Sequence, residues 1–338
     1  MITRARCPVR RGVELFRVRS KAKRRLGMGA LILTAAFAGL NALAFNHAGA
    51  MLHFSDGGPR TTTPERLGFL ARVEVLLTGV NIPRPVSHRL PSELAPDCRA
   101  LSVPGPSGVA LASWYCNRGN GTPLIILFHG YSAEKTSLLG EARAFLGLGA
   151  SVMLVDFRGS GGSSESYTTV GVHEAEDVAA ALHYARRKLS HTEVFLFGRS
   201  MGAAAILRAV HAHGVQPDGV ILEAVFDSLL NTVRHRFRAM QVPAFPGAEL
   251  LVFWGGRQWG FDGFEHNPSD YAASVHCPAL LMHGGRDTRV RLIEARRVFE
   301  AIAGTKELVT FEQSGHESYL SNHAVQWRNA VARFIEST

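Results

Sequence analysis

Several motifs that would assign a cofactor are missing from this 338-residue sequence. It has neither the His-Glu-x-x-His nor the Cys-x-x-Cys spacing of common zinc sites, so a metal ion is not implied. The glycine-rich run at residues 159–162 lacks the Lys-Ser/Thr ending of a phosphate-binding loop. An internal repeat and a low-complexity tract are also absent from the sequence. These absences favour a globular domain that needs no cofactor.

An excess of charge of one sign is missing from most of the chain. The formal net charge is +9, but residues 1–25 hold ten Lys or Arg side chains against Glu14 alone. The other residues are balanced, with 27 basic and 27 acidic side chains. The high isoelectric point therefore belongs to a short basic segment and not to a binding face, which argues against a nucleic-acid partner.

An uncharged run, residues 26–45, directly follows the basic segment. Twenty helical residues reach about 30 Å, the thickness of the hydrocarbon core of a bilayer, and exceed a usual secretory signal core. We predict a signal-anchor helix in the inner (cytoplasmic) membrane, with residues 1–25 in the cytoplasm and the rest of the chain on the periplasmic (extracytoplasmic) side. Ala48-Gly49-Ala50 resembles a cleavage site, so a cleaved signal is the alternative.

The sequence contains only four cysteines. Cys98 and Cys116 flank a turn-rich segment, and a hairpin centred on Ser107 would place them opposite each other. Because an exported domain permits oxidation, we predict a disulfide between them. Cys277 is expected to fill an apolar space at the start of a strand, whereas Cys7 has no evident partner.

Apolar segments alternate with helical patterns along residues 97–338. The expected strands lie at residues 97–103, 109–116, 124–128, 152–155, 194–197, 220–222, 279–282 and 308–311. Helical patterns occupy residues 133–148 and 174–188 and begin again at residue 203. Apolar strands alternating with helices predict an α/β domain, whose parallel sheet is covered on both faces and whose functional groups lie at the carboxyl ends of the strands.

Two segments fall outside this alternation. Residues 46–96 are expected to form a connector that lies on the domain, with one short helix near residues 64–77. Residues 227–277 are expected to form a small lid over the strand ends; they include a helical pattern at residues 229–240 and an aromatic, glycine-rich piece at residues 253–261. The lid aromatics either line an apolar substrate pocket or pack the lid onto the domain.

Gly198-Arg199-Ser200-Met201-Gly202 stands between an apolar strand and a helical pattern of small residues. This G-x-S-x-G arrangement is typical of a nucleophile elbow, whose tight turn strains the serine and requires residues without bulk on either side. The Ser200 hydroxyl would then project above the sheet edge at the positive end of the helix. Ser200 is the predicted nucleophile, and the alternative is a glycine-rich turn with a capping serine.

A serine nucleophile needs a base that is itself oriented by a carboxylate. On this architecture the order along the chain is serine, acid and histidine. Asp287 follows one apolar strand and His316 follows the last one, so we predict Asp287 as the acid and His316 as the base. Asp227 is the alternative acid, and His283 is less suitable as a base because it belongs to a strand end.

The developing oxyanion of such a reaction needs two hydrogen-bond donors. The backbone N–H of Met201, at the start of the helix, is the first predicted donor. The backbone N–H of Tyr131, in the loop after residues 124–128, is the second. Gly130 is expected to let that loop approach the nucleophile closely.

Taken together, these motifs resemble those of an α/β-hydrolase of the serine-hydrolase superfamily, in its membrane-anchored bacterial, serine aminopeptidase-like and dienelactone hydrolase-like branches. The resemblance is carried by His129-Gly130-Tyr131, Asp156-Phe157-Arg158-Gly159-Ser160-Gly161, the elbow, His283-Gly284-Gly285-Arg286-Asp287 and Gly315-His316. It implies a mostly parallel eight-stranded sheet. The family's nucleophile, acid, base and oxyanion donors fall on Ser200, Asp287, His316, Tyr131 and Met201.

We therefore expect a membrane-tethered serine hydrolase that cleaves a carboxylic ester or thioester of a small-molecule or lipid-like acyl substrate. An aminopeptidase or amidase is an alternative; it would need an acidic pocket, for which Glu249, Asp262, Glu265 and Asp270 are candidates. A non-catalytic binding protein with the same fold is a further alternative. The sequence gives no indication of the oligomeric state.

Overall fold

The computed structural model describes residues 10–63, 67–119 and 121–338, with side chains from residue 27 onward. Cys7 and most of the predicted cytoplasmic segment therefore lie outside the described side chains. The described chain folds around a single eight-stranded sheet, flanked by helices and preceded by a long N-terminal helix.

The sheet has the strand order β1-β2-β4-β3-β5-β6-β7-β8. In chain order the strands are β1 (Arg99–Pro104), β2 (Ala110–Cys116), β3 (Leu124–Phe128), β4 (Ser151–Val155), β5 (Val194–Arg199), β6 (Gly219–Glu223), β7 (Ala279–Gly284) and β8 (Lys306–Phe311). β2 pairs antiparallel with both β1 and β4, and every other neighbouring pair is parallel. The predicted mostly parallel sheet is thus confirmed.

Helices cover both faces of the sheet. The described α-helices are α1 (Arg10–Leu52), α2 (Phe69–Thr78), α3 (Leu139–Gly147), α4 (Glu174–Lys188), α5 (Met201–His213), α6 (Leu229–Ala239), α7 (Gly247–Trp259), α8 (Pro268–Tyr271), α9 (Leu292–Ala301), α10 (Tyr319–Asn322) and α11 (Ala324–Glu336). Ile126 of β3 packs in the hydrophobic cluster that includes α4 and α5, whereas the adjacent Ile125 packs in the cluster that includes α3 and α11. Successive strand residues point to opposite faces, so β3 is buried on both sides, as its continuous apolar run predicts.

Some helix boundaries differ from the sequence patterns. The pattern at residues 133–148 becomes a 3-10 turn, Lys135–Leu138, followed by α3. The short connector helix, α2, begins later than expected, and residues 64–66 lie outside the described residues. The aromatic, glycine-rich piece at residues 253–261 is mostly the second half of α7. Its glycines have moderate helix costs, which the packing of α7 against its neighbours offsets.

The hairpin of β1 and β2 has the expected register. Arg99 lies opposite Tyr115, so the preceding Cys98 and the following Cys116 lie opposite each other. They form a disulfide with a Cα–Cα distance of 4.2 Å. The predicted disulfide is therefore confirmed.

The N-terminal helix is longer than the predicted anchor. Residues Gly27–Leu52 form a 26-residue apolar stretch, which is long and apolar enough to cross a membrane. Its first part is exposed, whereas Ala44, Ala48 and Leu52 are buried. Residues 46–52, expected to belong to the connector, therefore continue the helix. The small residues in this segment let α1 pack closely along α7, where Ala48 faces Gly255.

Polar contacts fix this packing. The indole Nε1 of Trp254 donates to Asn41 Oδ1 at 3.2 Å, and the Gln258 amide donates to the carbonyl of Phe45 at 2.8 Å. After the helix, the chain adds short backbone hydrogen bonds to the loop that follows β4, at Phe54–Ser166 and Thr168–Leu52. The end of α1 is thus an integral part of the domain.

Candidate active site

Ser200 sits in the tight turn between β5 and α5. Its backbone has φ 53° and ψ −111°, a region that L-residues rarely occupy and that stores strain. A Cβ at Gly198 would lie 2.6 Å from the backbone nitrogen of Ala203, and one at Gly202 would collide with the carbonyl of Phe128. Glycine is required at both positions because the turn, the helix and β3 are in backbone contact.

Two further loops bring their side chains to this serine. His316 Nε2 lies 3.2 Å from Ser200 Oγ, and His316 Nδ1 lies 2.7 Å from Asp287 Oδ2. The chain supplies these three groups from the ends of β5, β8 and β7, which are all at the same edge of the sheet. In this line the imidazole donates its Nδ1–H to the carboxylate and accepts the serine hydroxyl proton at Nε2.

The carboxylate of Asp287 is held from both sides. Its Oδ1 accepts backbone N–H groups of Arg289 and Val290 at 2.8 and 2.9 Å. Burial raises the pKa of Asp287, but the hydrogen bond and charge of His316 and the Val290 N–H lower it more, so the net pKa lies below its ordinary value. Asp287 is therefore ionised near neutral pH and able to stabilise an imidazolium.

The two rival residues have other partners. Asp227 accepts hydrogen bonds from Asn231 and forms an ion pair with Arg297 at 2.8 Å. His283 is buried, and its Nε2 contacts the carbonyl of Val290 at 3.0 Å. Burial lowers the pKa of His283, which keeps it neutral. In the described part of the chain, neither residue contacts Ser200.

The predicted oxyanion donors flank the serine. The loop after β3 packs on the elbow, so that a Cβ at Gly130 would lie 3.7 Å from Ser200 Cβ. Within the described residues, the backbone N–H groups of Met201 and Tyr131 have no hydrogen-bond acceptor. The expectation that Gly130 is needed for close approach is wrong, because an added methyl group there would make only ordinary van der Waals contacts.

His129 orients this loop, a role that the sequence interpretation missed. Its Nδ1–H donates to the carbonyl of Gly130 at 2.9 Å, and its Nε2 accepts the N–H of Phe157 at 3.1 Å. Burial lowers the pKa of His129, so the ring is neutral and can donate and accept at once. The ring therefore ties the loop after β3 to the loop after β4.

A buried ionic network lies directly under the serine, and it too was missed. Arg199, next to Ser200, forms ion pairs with Glu141 of α3 and Glu223 of β6. The same Glu141 accepts a hydrogen bond from Ser318, two residues after His316. Glu141 thus connects the segment that carries the nucleophile to the loop that carries the imidazole.

The network is charged and closely satisfied. Burial raises the pKa of Glu223. The net pKa of Arg199 is raised, because the two carboxylates raise it more than burial lowers it. The second oxygen of Glu223 accepts the indole N–H of Trp327 at 2.6 Å. The sequence held one signal of this network. Arg199 and Glu223 are charged residues in otherwise apolar segments, and a buried charge needs a partner.

The end of α1 borders the site. The hydroxyl of Tyr131 donates to the carbonyl of Met51 at 2.5 Å, and burial raises the pKa of Tyr131 to about 12. Beside the acid loop, a cleft of about 770 Å³ is lined by Arg72, Arg238, Arg286 and Arg291 together with Asp287. The surroundings of the site thus include the end of α1 and a cationic cleft.

The arrangement is suited to acyl transfer. It combines a strained serine, a base in line with an ionised carboxylate, and two backbone donors at a helix start. Within residues 10–63, 67–119 and 121–338, no group of three His, Cys, Asp or Glu side chains could hold a metal ion.

Comparisons with known proteins agree with this fold. Residues 120–244 match the family described as "Serine aminopeptidase, S33". The chain is 28% identical over 253 residues to the uncharacterized protein Rv2307c of Mycobacterium tuberculosis, a match that covers 73% of this chain and 82% of that protein. It is 24% identical over 212 residues to the zebrafish (Danio rerio) lysophosphatidylserine lipase ABHD12, which covers 58% of this chain and 52% of the lipase.

A solved structure has the same fold. The Pyrococcus furiosus esterase Pf2001 superposes with a TM-score of 0.64 at 23% identity, covering 76% of this chain and 97% of the esterase. The likeness, the sheet order and the family match agree with one another. The chain has the α/β-hydrolase fold, as the resemblance of its motifs implied.

Proposed function

We propose that this chain, a member of the α/β-hydrolase superfamily, is a membrane-tethered serine hydrolase that cleaves carboxylic esters or thioesters. The observation that carries the proposal is the hydrogen-bonded line from Ser200 through His316 to Asp287, at 3.2 and 2.7 Å. A structural serine would need neither the imidazole in line nor the free N–H groups beside it.

In the proposed reaction, His316 Nε2 removes the Ser200 hydroxyl proton while Oγ attacks the substrate carbonyl. The N–H groups of Met201 and Tyr131 stabilise the oxyanion, and Asp287 stabilises the imidazolium. The intermediate collapses to an acyl-enzyme as His316 returns the proton to the departing alcohol or thiol. Water then attacks the acyl-enzyme with His316 again as base, which releases the acid and restores Ser200.

The tether is the N-terminal helix. The apolar length of Gly27–Leu52 supports a membrane span, and the basic residues that precede it favour a cytoplasmic N-terminus. The Cys98–Cys116 disulfide supports a catalytic domain in an oxidising, extracytoplasmic compartment. We therefore place the domain on the outer side of the inner membrane.

An ester or thioester is favoured over a peptide. An aminopeptidase would need an acidic group near Ser200 to bind the substrate amine. Of the candidates, Glu249 is paired with Arg234, and Asp262 accepts the backbone N–H of Phe264. The solved structural neighbour is named an esterase and one curated relative a lipase, which supports the same choice.

A substrate panel on the full chain tests this function. p-Nitrophenyl esters of increasing chain length are compared with amino-acid p-nitroanilides, using Ser200→Ala as the control. We expect ester hydrolysis with a kcat at least about 10⁴-fold lower in Ser200→Ala, at unchanged melting temperature. Faster cleavage of the anilides would indicate the peptidase, and equal activity of the folded Ser200→Ala variant would reject the serine mechanism.

A further inference from the structure

The short helix α2 presents an apolar face that nothing in the described chain covers. All ten of its residues are described, and none is buried. Phe69, Leu70 and Leu77 are 77%, 81% and 68% exposed, and Val73 lies between them. At 100° per residue these four side chains share one arc of about 100°, bordered by the carboxylate of Glu74. Such a continuous exposed apolar arc is typical of an interaction surface.

The position of α2 identifies which surface it meets. The carbonyl of Leu76 contacts His47 Nε2 at 2.9 Å, so α2 lies beside the anchor helix. Arg72, one turn earlier in α2, donates to the carbonyl of Met240 and to Gln241 Oε1. The turn that begins there, between α6 and α7, carries Phe245, which is 77% exposed. Thus α2 and this turn form one neighbouring pair next to α1.

The height of this pair follows from the helix itself. Trp254 contacts α1 at Asn41 and at the ring of Phe45, and tryptophan is enriched at the boundary between hydrocarbon and headgroups. His47 is two residues, about 3 Å along the axis, beyond Phe45. If α1 crosses the bilayer, α2 therefore lies at the level where the hydrocarbon core ends.

The polar side of the same region is cationic. Arg72 of α2, Arg238 of α6 and Arg291 line the cleft that opens beside Asp287. An apolar face flanked by arginines is the composition of a helix that lies in a lipid interface. A protein partner would not need this surface to coincide with the level of the membrane boundary.

We propose that α2 and the α6–α7 turn form a bilayer-docking surface, and that the substrate is an acyl ester drawn from the leaflet that this surface contacts. The inference rests on the proposed function in two respects: the docking surface needs the membrane span of α1, and the acyl ester as substrate needs the serine hydrolase chemistry. Met51, whose carbonyl accepts the hydroxyl of Tyr131, is six residues or about 9 Å beyond Phe45. Ser200, beside that loop, is then within reach of a lipid ester that rises only slightly from the leaflet.

Fluorescence of the full chain in phosphatidylcholine–phosphatidylglycerol vesicles tests the surface. Single cysteines replace Leu70, Leu33 or Leu148 in a Cys7→Ser, Cys277→Ser background and are labelled with NBD. Leu33 reports the span of α1, and Leu148, a 39% exposed leucine at the opposite edge of the sheet, is the control. We expect quenching by doxyl lipids at positions 33 and 70, and quenching by aqueous iodide at position 148.

The outcomes separate the inference from the proposed function. If position 33 is in lipid but position 70 behaves like position 148, the docking surface is refuted while the tether stands. If neither position 33 nor position 70 is in lipid, the tether and the docking surface both fail. None of these results depends on catalysis, so the hydrolase proposal is judged by the substrate panel alone.

Activity gives a second measurement of the same surface. In Leu70→Glu/Leu77→Glu, hydrolysis of a long-chain ester in vesicles should fall about tenfold, since two charges oppose docking. Hydrolysis of p-nitrophenyl acetate, which is dissolved in water, should be unchanged, and Leu148→Glu should alter neither rate. Equal losses on both substrates, or no loss on vesicles, would overturn the proposal.

Discussion

The loops at the sheet edge and the surface beside α1, the proposed membrane anchor, are built on opposite principles. At the sheet edge, Asp287, His129 and Glu141 are buried or nearly so, and each has its hydrogen-bond partners within the chain. Beside the anchor, α2 and Phe245 expose apolar side chains that have no cover in the described chain. The first region is complete by itself, whereas the docking proposal has lipid cover the second.

We expect the first region to carry out the hydrolysis and the second to bring a bilayer substrate to it. Changes at the sheet edge should impair hydrolysis of every substrate equally, because they act on the groups that move protons or hold charge. Changes beside the anchor should impair only substrates presented in a bilayer. Tyr131 connects the two regions, since its backbone belongs to the loop after β3 and its hydroxyl donates to the end of α1.

The largest effect is expected for Asp287→Asn. The amide leaves the geometry in place but cannot stabilise the imidazolium, so kcat should fall about 10⁴-fold on soluble and vesicle esters alike. Asp227→Asn is the matched control and should change kcat only a few-fold, because Asp227 is paired with Arg297. A greater loss of kcat in Asp227→Asn than in Asp287→Asn would mean that Asp227, and not Asp287, is the acid.

A glycine pair sharpens the comparison within the sheet edge. In Gly202→Ala the methyl group would collide with the backbone of β3 and displace the Met201 donor, so kcat should fall about 10²–10³-fold. In Gly130→Ala the methyl group has room, and kcat should stay within a few-fold of the wild type. Steady-state kinetics on p-nitrophenyl butyrate measure both. Equal losses would show that the loop after β3 is closer to Ser200 than described.

Glu141→Gln tests the buried network under the serine. Removing this charge leaves Arg199 with one carboxylate instead of two, which should lower the free energy of unfolding by about 3 kcal/mol. Ser318→Ala removes one hydrogen bond and should cost about 1 kcal/mol. Urea denaturation measures both values. A Glu141→Gln variant as stable as the wild type would show that this network does not stabilise the fold.

The pH dependence of stability reports the ionised acid. Because the folded pKa of Asp287 lies below its ordinary value of 3.8, its ionisation stabilises the fold above about pH 4. The stability that the wild type gains over Asp287→Asn from this ionisation should therefore be present at pH 5. It should shrink as the pH falls below about 4, through the depressed folded pKa. A difference that grows as the pH falls from about 4 to about 2 has the wrong sign for this mechanism.

The smallest effect is expected at the contact between α1 and α7. Trp254→Phe and Asn41→Ala each remove the 3.2 Å hydrogen bond, and a double-mutant cycle should give a coupling of about 1 kcal/mol. Hydrolysis of p-nitrophenyl acetate should be unaffected. The cycle is measured in lipid nanodiscs. A coupling near zero would show that this hydrogen bond does not hold α1 against α7.

The sequence predicted the sheet edge better than the region beside the anchor. The proximity of Ser200, Asp287 and His316 could be predicted because each follows an apolar strand within a short, recognisable segment, and the chain order of those segments fits the fold. The disulfide followed from the symmetry of one hairpin about Ser107. These are local signals in the sequence, and the strand order of the sheet then brings the three catalytic candidates together at one edge.

The missed features depend on contacts between distant residues. Glu141 meets Ser318 across 177 positions, and Trp254 meets Asn41 across 213. No periodicity in either segment indicates its partner. The extension of α1 to Leu52 was likewise missed, because the predicted helix was given only the length of a membrane span, and the packing of Ala48 and Gly49 against α7 depends on distant residues.

Labelling of the full chain with a fluorophosphonate tests the central claim most directly, because the probe reacts only with an activated serine. Peptide mass spectrometry should locate the phosphonate on Ser200, and His316→Ala should remove most of the labelling at an unchanged melting temperature. Folded protein that reacts at another serine, or that labels Ser200 equally without His316, would contradict the proposed serine hydrolase.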